Sequence, residues 1–459
     1  MVWMRSWNLS LTSKTDLSPV KPQGMYSLDY SKANHRKSIC FVTGVPGAGK
    51  TLVGLNLAIQ RSDAAAGEHA VFLSGNFPLV TVLQEALARD KVEQEKQAGR
   101  KLSKSDALRS TSAFIQIIHK YRDSFVGNDH VPPERVAIFD EAQRVWTEDM
   151  IAKFMQTKKG VANFEYSEPE FLISTMDRHQ DWAVIICLVG GGQEINTGEA
   201  GLPEWFDSLR RAFPYWDVYI TPQLNDEEYR RECEWDDMIS DLQIHENPDL
   251  HLATSVRSFR TPDLAAFVKA VLDVDTDAAK ELYSRIKDKY PIVLTRDLNK
   301  AKKWGREQCQ GTTRYGLLAS SGALRLKPEG IFVKNEVSVA NWFLNGKDDV
   351  RSSYYLEDVV SEFDIQGLEL DYSIVAWDAD FRFDGEQWGY YNFSGSRWMN
   401  VASEDRRLYL KNAYRVLLTR ARQGIAIFVP AGSDDDQTRK REWYDGIYGY
   451  LKEIGIEGL

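Results

Sequence analysis

The segment Ser38 to Leu57, SICFVTGVPGAGKTLVGLNL, constrains this chain more than any other. An apolar run, Ile39 to Val42, reads as a buried strand. Gly44-x-x-x-x-Gly49-Lys50-Thr51 follows, and then Leu52, Val53, Leu55 and Leu57 recur at helical spacing. Strand, glycine-rich loop and helix form the context in which a loop closes around phosphate. The loop residues Gly44, Pro46, Gly47, Ala48 and Gly49 bring backbone to the anion at a helix N-terminus, whose dipole favours negative charge. Lys50 supplies a point charge to β- and γ-phosphates, and the Thr51 hydroxyl reaches Mg²⁺. The segment predicts binding of a nucleoside triphosphate.

A length of 459 residues exceeds one ordinary core and predicts two or three domains. Residues 1–37 are polar and irregular, a short leader. No apolar run spans a bilayer and the N-terminus lacks a signal-peptide core, so the expectation is a cytoplasmic protein with no membrane partner. The four cysteines, Cys40, Cys187, Cys233 and Cys309, are widely spaced without a C-x-x-C, which argues against a disulfide framework and a zinc site. The net charge of −10 does not advertise nucleic-acid binding, although a local basic groove can sit on an acidic protein.

Short apolar runs alternate with helical patterns along the chain. Ala70–Ser74, Val136–Phe139, Trp182–Gly190 and Asp217–Thr221 read as strands of a first unit. Pro291–Thr295, Tyr315–Ser320, Tyr372–Trp377 and Gly424–Val429 read as strands of a second. This alternation predicts α/β architecture with parallel sheets covered by helices on both faces. An acidic, polar stretch, 225–248, marks the break, giving expected domains of 38–235 and 236–459. Residues 90–110 read as an exposed helix or flexible insert, and 379–405, rich in Asp, Gly, Ser and Trp, as a long loop insert.

Around the nucleotide, Asp140 and Glu141 end the strand VAIF. Asp140 is placed to hold Mg²⁺ and Glu141 to polarise the attacking water. Gln193, after a strand and three glycines, is a candidate γ-phosphate sensor. Arg257 and Arg420 are candidate arginine fingers, with Arg260 and Arg422 as competitors. Gly367 allows close backbone approach, and Glu369 can accept from a ribose. Ser74 and Asn76, at a strand-end turn, are candidate contacts to nucleic-acid phosphates. Phe77, Trp146 and Trp205 are weaker candidates for base stacking, against the plainer reading of core packing.

The order GVPGAGKT, FLSGN, FDEAQR, LVGGGQEINTGEAG, SVRSFR, FDIQGLELD and YRVLLTRAR resembles the motifs of superfamily 1 helicases. It is closest to bacterial DNA/RNA-helicase-like P-loop proteins related to the C-terminal helicase domain of Schlafen proteins. The resemblance implies two RecA-like domains with a nucleotide site at their interface, ATP and Mg²⁺ as cofactors, and single-stranded DNA or RNA as partner. It assigns Lys50 and Thr51 to phosphate and metal, and Asp140 and Glu141 to metal and catalysis. Gln143 and Gln193 become coupling and γ-phosphate residues, Arg257 and Arg420 the fingers, and Glu369 the motif V acid. Gln23 is a candidate for an adenine-reading motif. A second reading is an ATP-dependent regulatory or defence-associated switch acting through a protein effector. A third, a nucleic-acid-binding module without hydrolysis, is opposed by the intact Lys50, Asp140, Glu141 and Arg420.

Overall fold

The computed structural model describes residues 24–45, 47–61, 69–161, 164–190, 201–226, 229, 233–253 and 263–459. The chain divides into two compact units at 257/258.

The first unit is built on a parallel sheet. Its strands are β1 (Lys37–Gly44), β2 (Ala70–Ser74), β3 (Ile115–Ile117), β4 (Val136–Asp140), β5 (Ala183–Leu188), β6 (Asp217–Ile220) and β7 (Gln243–Glu246), in the order β3-β2-β4-β5-β1-β6-β7. A short strand, β8 (His251–Leu252), pairs with the end of β1. Ile39, Phe41, Val71, Phe72, Ile138 and Ile185 are fully buried. Unbroken apolar runs are what strands covered on both faces require. β7 and β8 follow the acidic stretch at 225–237 yet join this sheet, so the first unit runs past residue 236.

The second unit carries a second parallel sheet of β9 (Ile292–Thr295), β10 (Tyr315–Ala319), β11 (Val359–Val360), β12 (Leu370–Ala376), β16 (Ala421–Phe428) and β17 (Glu457–Gly458). Their order is β11-β10-β12-β16-β9-β17. The α/β class with parallel sheets is as the sequence predicts.

Two local expectations are corrected and a third is narrowed. Part of the leader is the helix Gly24–Asn34; Leu28 and Ser31, one turn apart, are buried, and Ser31 Oγ meets Ser38 Oγ at 2.7 Å. Residues 90–110 hold the end of one helix, Phe77–Gln97, and the start of another, Lys104–Phe114, so of the two readings given for them the largely exposed helix holds. Thr111 Oγ1 donates to Gln84 O between them (3.2 Å), and Ala107 is buried. The insert at 379–405 is an antiparallel sheet of β13 (Phe381–Phe383), β14 (Trp388–Ser394) and β15 (Arg397–Asn400). Its polar, glycine-rich composition conceals aromatics that pack: Phe381 stacks on Trp388 at 4.4 Å between ring centroids, and Trp388 Nε1 donates to Val271 O.

Candidate nucleotide site

Parallel pairing sets the carboxyl ends of β1, β2, β4 and β5 on one edge of the first sheet. Ser74 is in register with Asp140, Asp140 with Leu188, and Leu188 with Val42. In open α/β sheets this edge is where ligands bind.

The loop after β1 turns under tight local constraint. Gly49 has φ 84°, a left-handed conformation that favours glycine, and it caps the helix Lys50–Gln60 without any side-chain cap. The first N–H groups of that helix are left to face the loop, as an anion site requires. Gly44 is fixed for another reason: a Cβ there would lie 2.7 Å from Leu252 Cβ and 2.9 Å from Leu252 O. β8 therefore presses on the loop, and Val45 N donates to Leu252 O (3.1 Å). Ala48 is buried and its N–H donates to Val45 O (3.0 Å). Gly47, with φ 76°, also turns left-handed. Lys50 Nζ donates to Gly44 O (2.5 Å), which holds the ammonium inside the loop.

Thr51 Oγ1 donates to Asp140 Oδ1 at 3.0 Å. Burial pushes the Asp140 carboxyl up to about 7, and the neighbouring Glu141 charge adds to this; the Thr51 hydrogen bond and Lys50 act the other way. A hydroxyl and a carboxylate in contact are hard oxygen donors of the kind Mg²⁺ takes, and a divalent cation would hold this buried carboxyl ionised. The residues present fit that ion.

Glu141 follows with φ 55°, left-handed for a residue other than glycine. Such strain persists only where surroundings enforce it, and two contacts do so. Gln143 Nε2 donates to Glu141 Oε2 (2.6 Å), while Gln143 Oε1 accepts from Gly190 N (3.0 Å). One amide thus ties the acid after β4 to the backbone after β5. At Gly190 a Cβ would come within 3.0 Å of both Gln143 Nε2 and Glu141 Oε2. Trp205, fully buried, donates Nε1 to Ala142 O (2.8 Å) and pins the same turn. Trp205 is therefore not a base-stacking residue. Trp146 is half-buried and packs on His119 at 4.8 Å, with its N–H on Glu168 Oε2. Phe77 is 59% exposed.

Ser74 and Asn76 have structural work. Asn76 Oδ1 accepts from Leu79 N (3.1 Å) and caps the helix Phe77–Gln97, and the buried Ser74 Oγ accepts from Asn76 N (3.2 Å).

In the second unit, Gly367 (φ 74°) and Glu369 lie between the short helix Glu362–Ile365 and β12. Arg420 caps the helix Glu404–Thr419 and is buried; its carbonyl accepts from Leu370 N (3.0 Å). The two segments are thus adjacent. Arg422 is committed elsewhere, its Nη2 on Asp371 Oδ1 (2.6 Å), beside Gln423 Nε2 on the same oxygen (3.0 Å). Pro46, Gln193, Arg257, Arg260 and Gln23 lie outside the described residues.

Sequence reasoning missed Gly190 and the anchoring role of Trp205, although both stand in the strings WAVIICLVGGGQ and LPEW. It also missed the pairing of β8 with β1, where Thr43 Oγ1 meets His251 Nδ1 at 2.8 Å, and no sequence signal marks it.

A phosphate loop, a threonine–aspartate pair and a strained acidic turn on the edge of a parallel sheet define the site of a P-loop NTPase. The chain belongs to the Schlafen group 3, DNA/RNA helicase domain family, whose profile matches residues 37–431. Among solved structures it is similar to the Pyrococcus furiosus Hef helicase domain, with 11% identity, 90% of this chain and 96% of that chain covered, and a TM-score of 0.27. It is also similar to the Pif1 helicase from Candida albicans, with 11% identity, 94% and 99% coverage, and a TM-score of 0.31. A structure of Pif1 helicases concerned with DNA unwinding at forked dsDNA shares 11% identity over 94% of this chain and 96% of that one, with a TM-score of 0.31. None of the curated proteins compared with the chain matches it. Among the described residues no helix is long and apolar enough to cross a membrane.

Proposed function

We propose that the chain is a nucleic-acid-stimulated ATPase, a DNA or RNA translocase or helicase that hydrolyses ATP with Mg²⁺. The observation that carries this reading is the edge of the first sheet, where Lys50, the Thr51–Asp140 pair and the Gln143-held Glu141 converge. Loop backbone, Lys50 and the helix N-terminus bind the phosphates. Thr51 and Asp140 hold Mg²⁺, which neutralises charge on the phosphates when bound. Glu141 accepts a proton from the attacking water, with its carboxylate oriented by Gln143. Arg420, and Arg257 and Gln193 by resemblance, would complete the charge stabilisation, and Gly367 and Glu369 would contact the nucleotide sugar. Ser74 and Asn76 sit at the turn where a single strand would cross.

The test is steady-state ATP hydrolysis with and without single-stranded DNA and RNA, with Glu141→Gln as blank. Stimulation by one polymer supports the motor and names its substrate. Glu141-dependent turnover indifferent to every nucleic acid would overturn the motor and favour a switch read by a protein partner.

A further inference from the structure

The strand β8, His251–Leu252, is two residues long, and among the described residues it pairs with β1 alone. So short a strand has few backbone hydrogen bonds of its own, and such elements open locally at little cost. The approach to it is fixed: Asn247 N donates to Ile220 O at the end of β6 (2.8 Å), and Leu250 is buried. What seats the strand itself lies on β1 and the loop after it.

Three successive residues, Thr43, Gly44 and Val45, meet β8. Thr43 is fully buried, and its Oγ1 meets Nδ1 of the half-buried His251 at 2.8 Å, across 208 positions of sequence. A buried hydroxyl is costly to leave without a partner, so this pair fixes the register of β8 on β1. Leu252 Cβ occupies the space that a side chain at Gly44 would need. Leu252 O accepts from Val45 N (3.1 Å).

That last bond involves the lysine of the phosphate loop. Val45 N and Gly44 O belong to one peptide unit, and Gly44 O accepts from Lys50 Nζ (2.5 Å). A cation on the carbonyl polarises the peptide and makes its N–H a stronger donor. Lys50 and β8 thus grip the opening peptide of the loop from its two ends.

We propose that His251 is a positioning residue for the nucleotide, a role that rests on the ATP reading above. Through Thr43 it seats β8 on β1, and seated β8 holds the first peptide of the phosphate loop in place before the phosphates arrive. Linkage then requires the reverse effect: if seated β8 favours nucleotide, bound nucleotide favours seated β8. The chain passes to the second unit at 257/258, a short way beyond Leu252. Nucleotide occupancy therefore registers at the strand from which that passage starts.

The experiment measures the Kd of the ATP analogue AMP-PNP with Mg²⁺, and backbone hydrogen exchange by mass spectrometry with and without it. Thr43→Val keeps the shape of a strand residue and removes the hydroxyl. His251→Ala removes the ring, and His251→Asn puts an amide where Nδ1 stands. The double variant, Thr43→Val with His251→Ala, closes a cycle, and melting temperatures are recorded throughout. In the parent, AMP-PNP is expected to slow exchange over both 43–51 and 247–252. Thr43→Val and His251→Ala are expected to raise Kd about three- to tenfold, the double variant no further, and His251→Asn less than about twofold. Lower melting temperatures with an unchanged Kd would make the contact structural only and overturn the proposal. So would slowing over 43–51 with none over 247–252, or His251→Asn as weak as His251→Ala. No slowing over 43–51 in the parent would instead overturn ATP binding at the loop, and this role with it.

Discussion

Thr51 donates its hydroxyl to Asp140 although the two residues are 89 positions apart in sequence. The contact exists because β1 and β4 run parallel in one sheet, with β5 between them, so that the helix after β1 and the end of β4 open on the same edge. It joins the phosphate loop to the acidic strand end. Thr51→Val keeps the shape and removes the hydroxyl. A hydrogen bond to a charged group is worth about 1.5–3 kcal/mol, so turnover is expected to fall about ten- to a hundredfold. A magnesium titration of ATP hydrolysis checks this; an unchanged midpoint and rate would remove Thr51 from the metal.

Glu141→Gln keeps the size of the side chain and removes the base. Turnover is expected to fall at least about a hundredfold with ATP affinity retained. Single-turnover hydrolysis and binding of a labelled nucleotide separate the two effects. Near-normal turnover would place the base elsewhere.

Gln143→Ala unties Glu141 from Gly190 without touching either. It is expected to lower kcat about tenfold while leaving the KM for ATP within about twofold, because positioning rather than binding is lost. Gly190→Ala should act in the same direction, since its Cβ intrudes to 3.0 Å on both side chains. A change confined to KM in both variants would show that the link serves binding.

Arg420→Ala and Arg422→Ala should part company. An arginine finger contributes about 10³–10⁵ in rate, so Arg420→Ala is expected to abolish most turnover. Arg422→Ala breaks the pair with Asp371 and should lower thermal stability while hydrolysis persists. Turnover measured beside a melting curve distinguishes them, and the reverse pattern would exchange their roles.

Asp380 supplies a pH dependence within the second unit. Its carboxyl is fully buried, accepts from Tyr414 and Ser320 (2.6 and 2.7 Å), and faces Asp378 and Glu362. Burial first, and then the Asp378 charge, push it up to about 7. The folded chain therefore holds a proton that the unfolded chain releases near pH 4, so stability falls as pH rises between about 4 and 7. Asp380→Asn should flatten that slope. Melting temperatures of parent and variant at about pH 5 and about pH 8 check this, and parallel declines would remove Asp380 as the source.

Much of the first sheet is legible because strands buried on both faces must be apolar throughout, and β1, β2, β4 and β5 announce themselves that way. The phosphate loop is legible because few residues tolerate its backbone. The insert reads as a loop because its aromatics are spaced among Asp, Gly and Ser, and composition does not show which of them pack. For Trp205 the plainer reading of core packing holds over base stacking, a choice the sequence leaves open because it marks an aromatic without saying which way it points.

The sequence by itself determined the kind of local element and the chemistry each can carry: a loop for phosphate, an acid at a strand end, an arginine after a helix. These follow from neighbouring residues along one chain. Tertiary structure alone decided which of them meet. Gln143 reaches Gly190 because β4 and β5 are neighbours, Gly44 is held to glycine by Leu252 across the sheet, and Arg422 is spent on Asp371. Partners so far apart in sequence are chosen by strand order and side-chain packing, and neither is written in any local pattern.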